Sequence, residues 1–397
     1  MTTSASHQSI PARGEYTEAA RQRRLDWLRQ TSGADLESLD QLGIDATTVQ
    51  NNVENLVGTV EVPVGLAGPL LFAGDHARGL VTTPLATTEG ALVASVTRGA
   101  NAVTRSGGVV TRVIRQRMVR APGFEFGSID EAARFAAWVP DQHAALAEQV
   151  RQVSKHSVLV EVDPVQLGRV VHVRFCYETG DAAGQNMTTA ATHRGCEWIV
   201  EQIEAASDLT LVWHAIEAVL NSDKKQSALN RLGGRGHHVV AECALDRATL
   251  HDVLKTTAGE MERILRIATV GGQYAGLNGV DINAANVIAA IFIATGQDAA
   301  SVYESGAAIF SGERVGDGLR MTLLLPNLVV GTVGGGTGLQ KQHDYLESLG
   351  CAGTGGARRL AEIIAGFALA LNISTMAAVT AGQFVDAHER LGRNHPE

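Results

Sequence analysis

From Ile363 to Thr380 the chain runs without one charged side chain. As a helix that stretch is long enough to cross most of a bilayer or to thread the middle of a globular core, and it must do one or the other to hide its apolar surface. Gly366, Asn372, Ser374 and Thr375 interrupt it and Glu362 and Gln383 flank it, a polar content that is costly in lipid. The segment therefore reads as a buried central helix. Such a helix needs apolar material on every side, and a chain of 397 residues that is 45% hydrophobic supplies it, as two or three domains or as one large domain carrying an insertion.

Charge narrows the partners. A net charge of -9 leaves no concentrated basic face for nucleic acid, and no block of like charge reads as an interaction tail. Cys176, Cys196, Cys243 and Cys351 are scattered with neither metal-ligand spacing nor a disulfide framework, so no metal site is expected and a reducing cytoplasm is. Residues 1–30 are polar and lack the apolar run of a secretion signal. A cytoplasmic protein with no membrane partner is the expectation.

Along the chain, 1–50 reads as a helical arm, of the kind that packs on a neighbour, with a helix over 17–30 and a further helical turn at 35–42. Residues 54–72 turn β-branched and are broken by Gly and Pro, the pattern of strands and tight turns. A helix is expected over 89–104. Strand patterns at 109–113, 157–162 and 170–176 enclose helical patterns at 129–138 and 140–153, which implies a small α+β unit at 122–210 inserted in a larger domain made of 51–121 and 211–397. Apolar helices are expected over 284–295 and 357–390.

Single motifs are ambiguous. Gly180 to Met187 follows a strand and opens a helix, where backbone amides and glycine would suit a dinucleotide phosphate, yet a plain turn and cap fits as well. Val330 to Thr337 (VGTVGGGT) could line a nicotinamide or simply turn the chain. Glu89 suits the first turn of its helix, Asp223-Lys224-Lys225 a solvated charge run, Asp298 a cap, and His388 the C-terminal end of a helix dipole.

Taken in order, the segments stop being independent. ENLVG (54–58), VPVGLAGPL (62–70), PLATTEGALVASVTRGA (84–100), RFCYETGDAAGQNM (174–187), SDKK (222–225), GRGHHVVAE (234–242), AANVIAAIFIATGQDAA (284–300), LPNLVVGTVGGGTGLQ (325–340) and VDAHERLGRN (385–394) resemble the successive signatures of the hydroxymethylglutaryl-coenzyme A reductases. An Asp-Lys-Lys segment upstream of Gly-Arg-Gly is similar to the class I form. The class II lysine precedes an Asn-Gly pair, and here Tyr274 and Ala275 stand where it would be.

The resemblance implies an α+β fold: a large substrate-binding domain with a long central helix, and an inserted small ferredoxin-like nucleotide-binding domain. It implies four-electron reduction of 3-hydroxy-3-methylglutaryl-CoA to mevalonate and free CoA with two NADPH, in a homodimer or dimer-based higher oligomer whose sites lie between subunits. Glu89, Lys224, Asp298 and His388 match the catalytic set. Ser95, Arg98, Arg120, Lys225 and Asn286 match positions that contact substrate or support the lysine. Ser154, Lys155, Asp181, Gly184, Gln185, Asn186, Gly334, Gly335, Gly336 and Thr337 match dinucleotide contacts, with Lys155 replacing a more usual arginine at a 2′-phosphate.

Each role answers a chemical need. A lysine ammonium beside the carbonyl oxygen stabilises the negative charge that hydride addition creates, the role implied for Lys224. A protonated imidazole can give a proton to the departing thiolate, implied for His388 on a mobile C-terminal segment. A carboxylic acid kept protonated by burial or by a neighbouring carboxylate can protonate the final alkoxide, implied for Glu89, with Asp298 holding Glu89 and Lys224 in register. Arg120 or Lys225 would bind the substrate's free carboxylate. Some positions depart from the family pattern: Thr59-Val60-Glu61 follows ENLVG in place of tyrosine and proline, DAAGQN replaces DAMGMN, and His193 stands where an acid is usual. These departures leave open a reductase of another acyl thioester, or a non-redox lyase or hydrolase on the same fold.

Overall fold

A computed structural model of the chain describes residues 9–382 apart from 207 and 278. Its helices are α1 (Glu18–Ser32), α2 (Leu92–Arg105), α3 (Ile129–Trp138), α4 (His143–Val153), α5 (Gln185–Ala206), α6 (Ala228–Gly233), α7 (Arg247–Asp252), α8 (Ala258–Tyr274), α9 (Ala284–Ala294), α10 (Val302–Ser305), α11 (Gln340–Ser348) and α12 (Ala357–Thr380). The uncharged run is α12, and every residue from Leu360 to Ala378 is buried. It packs against α2, α9 and three sheet strands, so protein and not lipid covers its faces. Contact with α2 is close enough that a Cβ at Gly99 would overlap the Ala370 carbonyl. Glu362 is fully buried within this helix, and its Oε2 accepts from His76 N at 3.0 Å and Ala77 N at 2.7 Å.

Those two amides sit in the turn of an antiparallel hairpin, β1 (Val64–Ala73) and β2 (Arg78–Ala86). The remaining strands are β3 (Val110–Arg120), β4 (Gly123–Phe126), β5 (Val158–Leu167), β6 (Val170–Glu178), β7 (Leu211–Ala215), β8 (Gly236–Leu245), β9 (Ile309–Val315) and β10 (Gly318–Leu328). They form one sheet in the order β7-β4-β6-β3-β8-β10-β9, with β5 also on β6. β3 joins its two ends, because Val110 to Arg117 pairs with β8 and Met118 to Arg120 pairs with β6. Side chains collect into a large core around α12 and a smaller one around Phe124, Phe135, Phe175 and Ile199. The α+β class is the one the sequence led us to expect.

Local differences matter for the site. Helix α2 starts at Leu92, because Ala91 takes a left-handed conformation (φ 69) ahead of it, so Glu89 lies on the preceding loop and not in a first turn. Residues 54–63 form no strand. In the described part of the arm, Arg21 donates to Leu39 O and Val57 O and Arg24 to Leu56 O, so these arginines tie α1 to the chain that follows it. The small sheet continues into β7, just past residue 210. α12 is helical to Thr380; the rest of the helix expected over 357–390 lies largely outside the described residues.

Candidate active site

Lys224 stands on the loop between β7 and α6, where Val219, Ser222 and Lys224 all have positive φ (69, 50 and 54) although none is glycine. Each such residue costs on the order of 1 kcal/mol or more, so the surroundings must enforce the loop's shape. The shape brings Lys224 Nζ to 2.9 Å from Asp298 Oδ2. Asp298 follows α9 across a tight turn at Gly296 (φ 69), where any Cβ would overlap the Gly336 carbonyl. Its Oδ1 accepts from Ala300 N at 3.1 Å, and its Oδ2 also accepts from Gln185 Nε2 at 3.3 Å. Burial opposes charge on Asp298, but the hydrogen bond and attraction from Lys224 outweigh it and hold the carboxyl below its ordinary value.

This pair lies at the edge of a cavity of about 790 Å³ whose walls include Gly184 to Met187, Gly334 to Thr337, Val49 from the arm and Leu56 just after it. Backbones approach closely here. A Cβ at Gly184 (φ 82) would run into the Thr179 side chain, and one at Gly331 would press on Ala183 N. The 22-residue helix α5 begins at Gln185 on the same wall. Asp181 stands just outside the cavity's walls, its carboxylate accepting from Gly355 N at 2.8 Å and Ala357 N at 3.1 Å at the start of α12. Ser154 and Lys155 lie in the turn between α4 and β5 and line neither this cavity nor the next.

Glu89 lies in a second cavity, of about 410 Å³, with Ser95, Arg98, Asn283, Asn286 and Thr375. Asn286 Nδ2 donates to Glu89 Oε2 at 2.7 Å, and Glu89 is exposed. Ser374 of α12 organises the opposite wall: Arg98 Nε donates to its hydroxyl at 2.9 Å, and Ser95 Oγ lies 3.0 Å from the same oxygen. Burial works against the Arg98 charge, and no acidic side chain pairs with it among the described residues. Ser374 and Asn283 were not among the expected site residues. The available signal was the run of hydroxyls and an amide at Asn372, Ser374 and Thr375, which argued against lipid: Thr375 lines this cavity, while Asn372 and Ser374 hold its wall residues Asn283 and Arg98.

The two cavities occupy opposite ends of α9, which its helical rise alone sets roughly 15 Å apart. Lys224, Asp298, Gln185 and the Gly334 to Thr337 turn are thus brought together, and Glu89, Ser95, Arg98 and Asn286 form a separate group. Arg120 is buried and engaged within the protein, 3.2 Å from Asp223 Oδ2 and donating to Gln185 O at 2.7 Å, whereas Lys225, next to Lys224, is exposed. His388 lies outside the described residues. The described residues hold no cluster of metal-ligating side chains, and all four cysteines are free and buried.

Residues 20–393 match the family described as hydroxymethylglutaryl-coenzyme A reductase. The 3-hydroxy-3-methylglutaryl-coenzyme A reductase of Aeropyrum pernix is 43% identical over 96% of this chain and 91% of its own length. That of Methanothermobacter thermautotrophicus is 39% identical over 95% and 94%. Among solved structures, the class II reductase of Streptococcus pneumoniae bound to NADPH in open conformations superposes with a TM-score of 0.67 at 20% identity, covering 90% of this chain and 96% of that one. That last likeness concerns the fold, which is therefore shared across the class distinction drawn from the lysine's position. With its ordered motifs, its matched length and its relatives in agreement, this chain belongs to the hydroxymethylglutaryl-coenzyme A reductase family.

Proposed function

We propose that this chain reduces 3-hydroxy-3-methylglutaryl-CoA to mevalonate and free CoA with two NADPH, at a site that a second copy completes. The observation that carries this is the Lys224–Asp298 pair, set at 2.9 Å beside a glycine-walled cavity. The walls fit a dinucleotide: Gly184 and Gly331 leave backbone where side chains would collide, and α5 presents its first turn there. Gly184, Gln185, Asn186 and Gly334 to Thr337 would hold NADPH, which supplies a hydride to each of two carbonyl reductions.

The chain's own groups do the rest. Lys224 stabilises the oxygen that gains negative charge, and Asp298 aims it. Arg98, half-buried with no carboxylate partner, and exposed Lys225 offer charge to the anionic groups of the thioester. Glu89, proposed to protonate the alkoxide, is exposed at the far end of α9, so the burial that its role needs comes from a second subunit. His388 is proposed to protonate the departing thiolate. In this reading 122–210 is the NADP-binding insertion, 51–121 with 211–397 is the substrate and dimerisation domain, 1–50 is the arm, and the protein is a cytoplasmic homodimer.

The test is incubation of pure protein with the thioester and NADPH or NADH, following absorbance loss and free thiol together. Two dinucleotides oxidised per thiol are expected. Thiol release without oxidation would replace the reductase with a hydrolase.

A further inference from the structure

Beneath the Lys224 loop lies an ion cluster that no step above uses. Arg235, just ahead of β8, and Glu304, on α10, are both fully buried, and Arg235 Nε donates to Glu304 Oε2 at 2.7 Å. A second nitrogen of the same guanidinium grips Asp223 Oδ1, and a third donates to Val119 O at 3.3 Å. The other oxygen of Asp223 meets Arg120 Nη1, and Arg120 Nη2 donates to the first carbonyl of α5. Burial pushes the Glu304 carboxyl up, against Arg235 and the nearby Lys224 amide, which favour its charge.

A buried ion pair is weak evidence of stability, because apolar side chains of similar volume serve a core as well. Its directionality is what apolar contacts lack. Asp223 is the residue between the two left-handed positions Ser222 and Lys224, and two guanidinium groups clamp it from different elements. A loop left to itself would relax toward ordinary φ and carry the ammonium away from Asp298. We infer that Arg235 and Glu304 are positioning residues for Lys224, holding Asp223 so that the lysine is already aimed before substrate arrives. Through Arg120 the same anchor ties the loop to the start of α5. The inference rests on the reading of Lys224 as the group that meets the carbonyl oxygen.

Glu304→Gln tests it in the full chain, with Asp223→Asn as a second variant because that carboxylate is partly exposed and better tolerates change. Folding is verified by thermal unfolding, kcat and KM are measured for both substrates, and acylation of Lys224 by an amine-selective reagent is timed by peptide mass spectrometry against Lys255 and Lys341. Expected are a loss of about 100-fold in kcat with KM for NADPH within roughly threefold, and several-fold faster acylation of Lys224. A folded variant whose Lys224 acylates at the parent rate overturns the inference, whatever its kcat. Faster acylation with unchanged kcat upholds the anchor and instead removes Lys224 from the proposed chemistry. If Glu304→Gln fails to fold, Asp223→Asn decides by the same readings.

Discussion

Asn286, in the first turn of α9, and Asp298, just past its end, each hold a different member of the expected catalytic set: Asn286 takes Glu89 at 2.7 Å, Asp298 takes Lys224 at 2.9 Å. Helix α9 between them is a rigid spacer, buried along most of its length by Val287, Ile288, Ile291 and Phe292. No side-chain rotation closes that gap. The proposed reading, in which one site uses both, draws them from two chains arranged about a symmetry axis.

Complementation follows. Glu89→Gln and Lys224→Ala homodimers should each be inactive, and dissociating then reassociating an equal mixture should restore about one quarter of parental activity, since half the dimers are mixed and each has one intact site. Activity that stays at the level of the separate variants would place both residues in the same site of one chain.

Lys224→Ala should lower kcat by about 1,000-fold or more, the order reached when a group is lost from the position where charge develops. Thermal stability and NADPH affinity should stay close to the parent's, because the side chain is exposed and its partner Asp298 keeps the Ala300 and Gln185 bonds. Turnover within tenfold of the parent would move the oxyanion role to another group.

His237 gives the fold a defined acid response. It is fully buried on β8, and burial pushes its imidazole down to about 4, with Arg358 and His76 adding to this and the Leu328 backbone and Asp181 opposing it. The unfolded chain therefore binds a proton that the folded chain refuses between about pH 6.5 and 4. Stability is full above that window and falls as pH drops through it, by roughly 1 kcal/mol per pH unit. The midpoint of thermal unfolding should decline across this range in the parent and decline less in His237→Gln. Parallel curves would assign the acid sensitivity elsewhere.

Gly99→Ala should cost about 1–3 kcal/mol, because its methyl would overlap the Ala370 carbonyl and force α2 away from α12. Arg98 rides on α2 and is held by Ser374 of α12, so the same variant should raise KM for the thioester more than KM for NADPH. Equal effects on the two would separate this packing from substrate binding.

Much of this was legible in the sequence, for physical reasons. An uncharged run broken by amides and hydroxyls has few places to go, and α12 took the expected one. The α3 limits matched the expected 129–138, and β5 and β6 began where alternation placed them, but β5 runs on to Leu167 and the short strands β4 and β7 carried no alternation long enough to be expected. Glu89 was misplaced into a helix because its start depends on Ala91 adopting a left-handed conformation, for which an alanine gives no signal. Helix α8 went unremarked because Ile267, Val270 and Tyr274 are exposed and blur its apolar stripe. That Arg120 and Asp181 are engaged inside the protein depends on contacts across distant segments, which no local pattern encodes.

The double membership of β3 bears on how the small unit can move. Its last three residues, Met118 to Arg120, belong to the ladder of β6 while the preceding stretch belongs to β8. A door swinging on a flexible cord would have to tear those pairings, so any motion of the small sheet against the large one twists one continuous fabric. By the same logic, excision of the insertion would not leave a clean seam: it would strip the end of β3 of its neighbour and expose a raw strand margin ready to adhere to other chains.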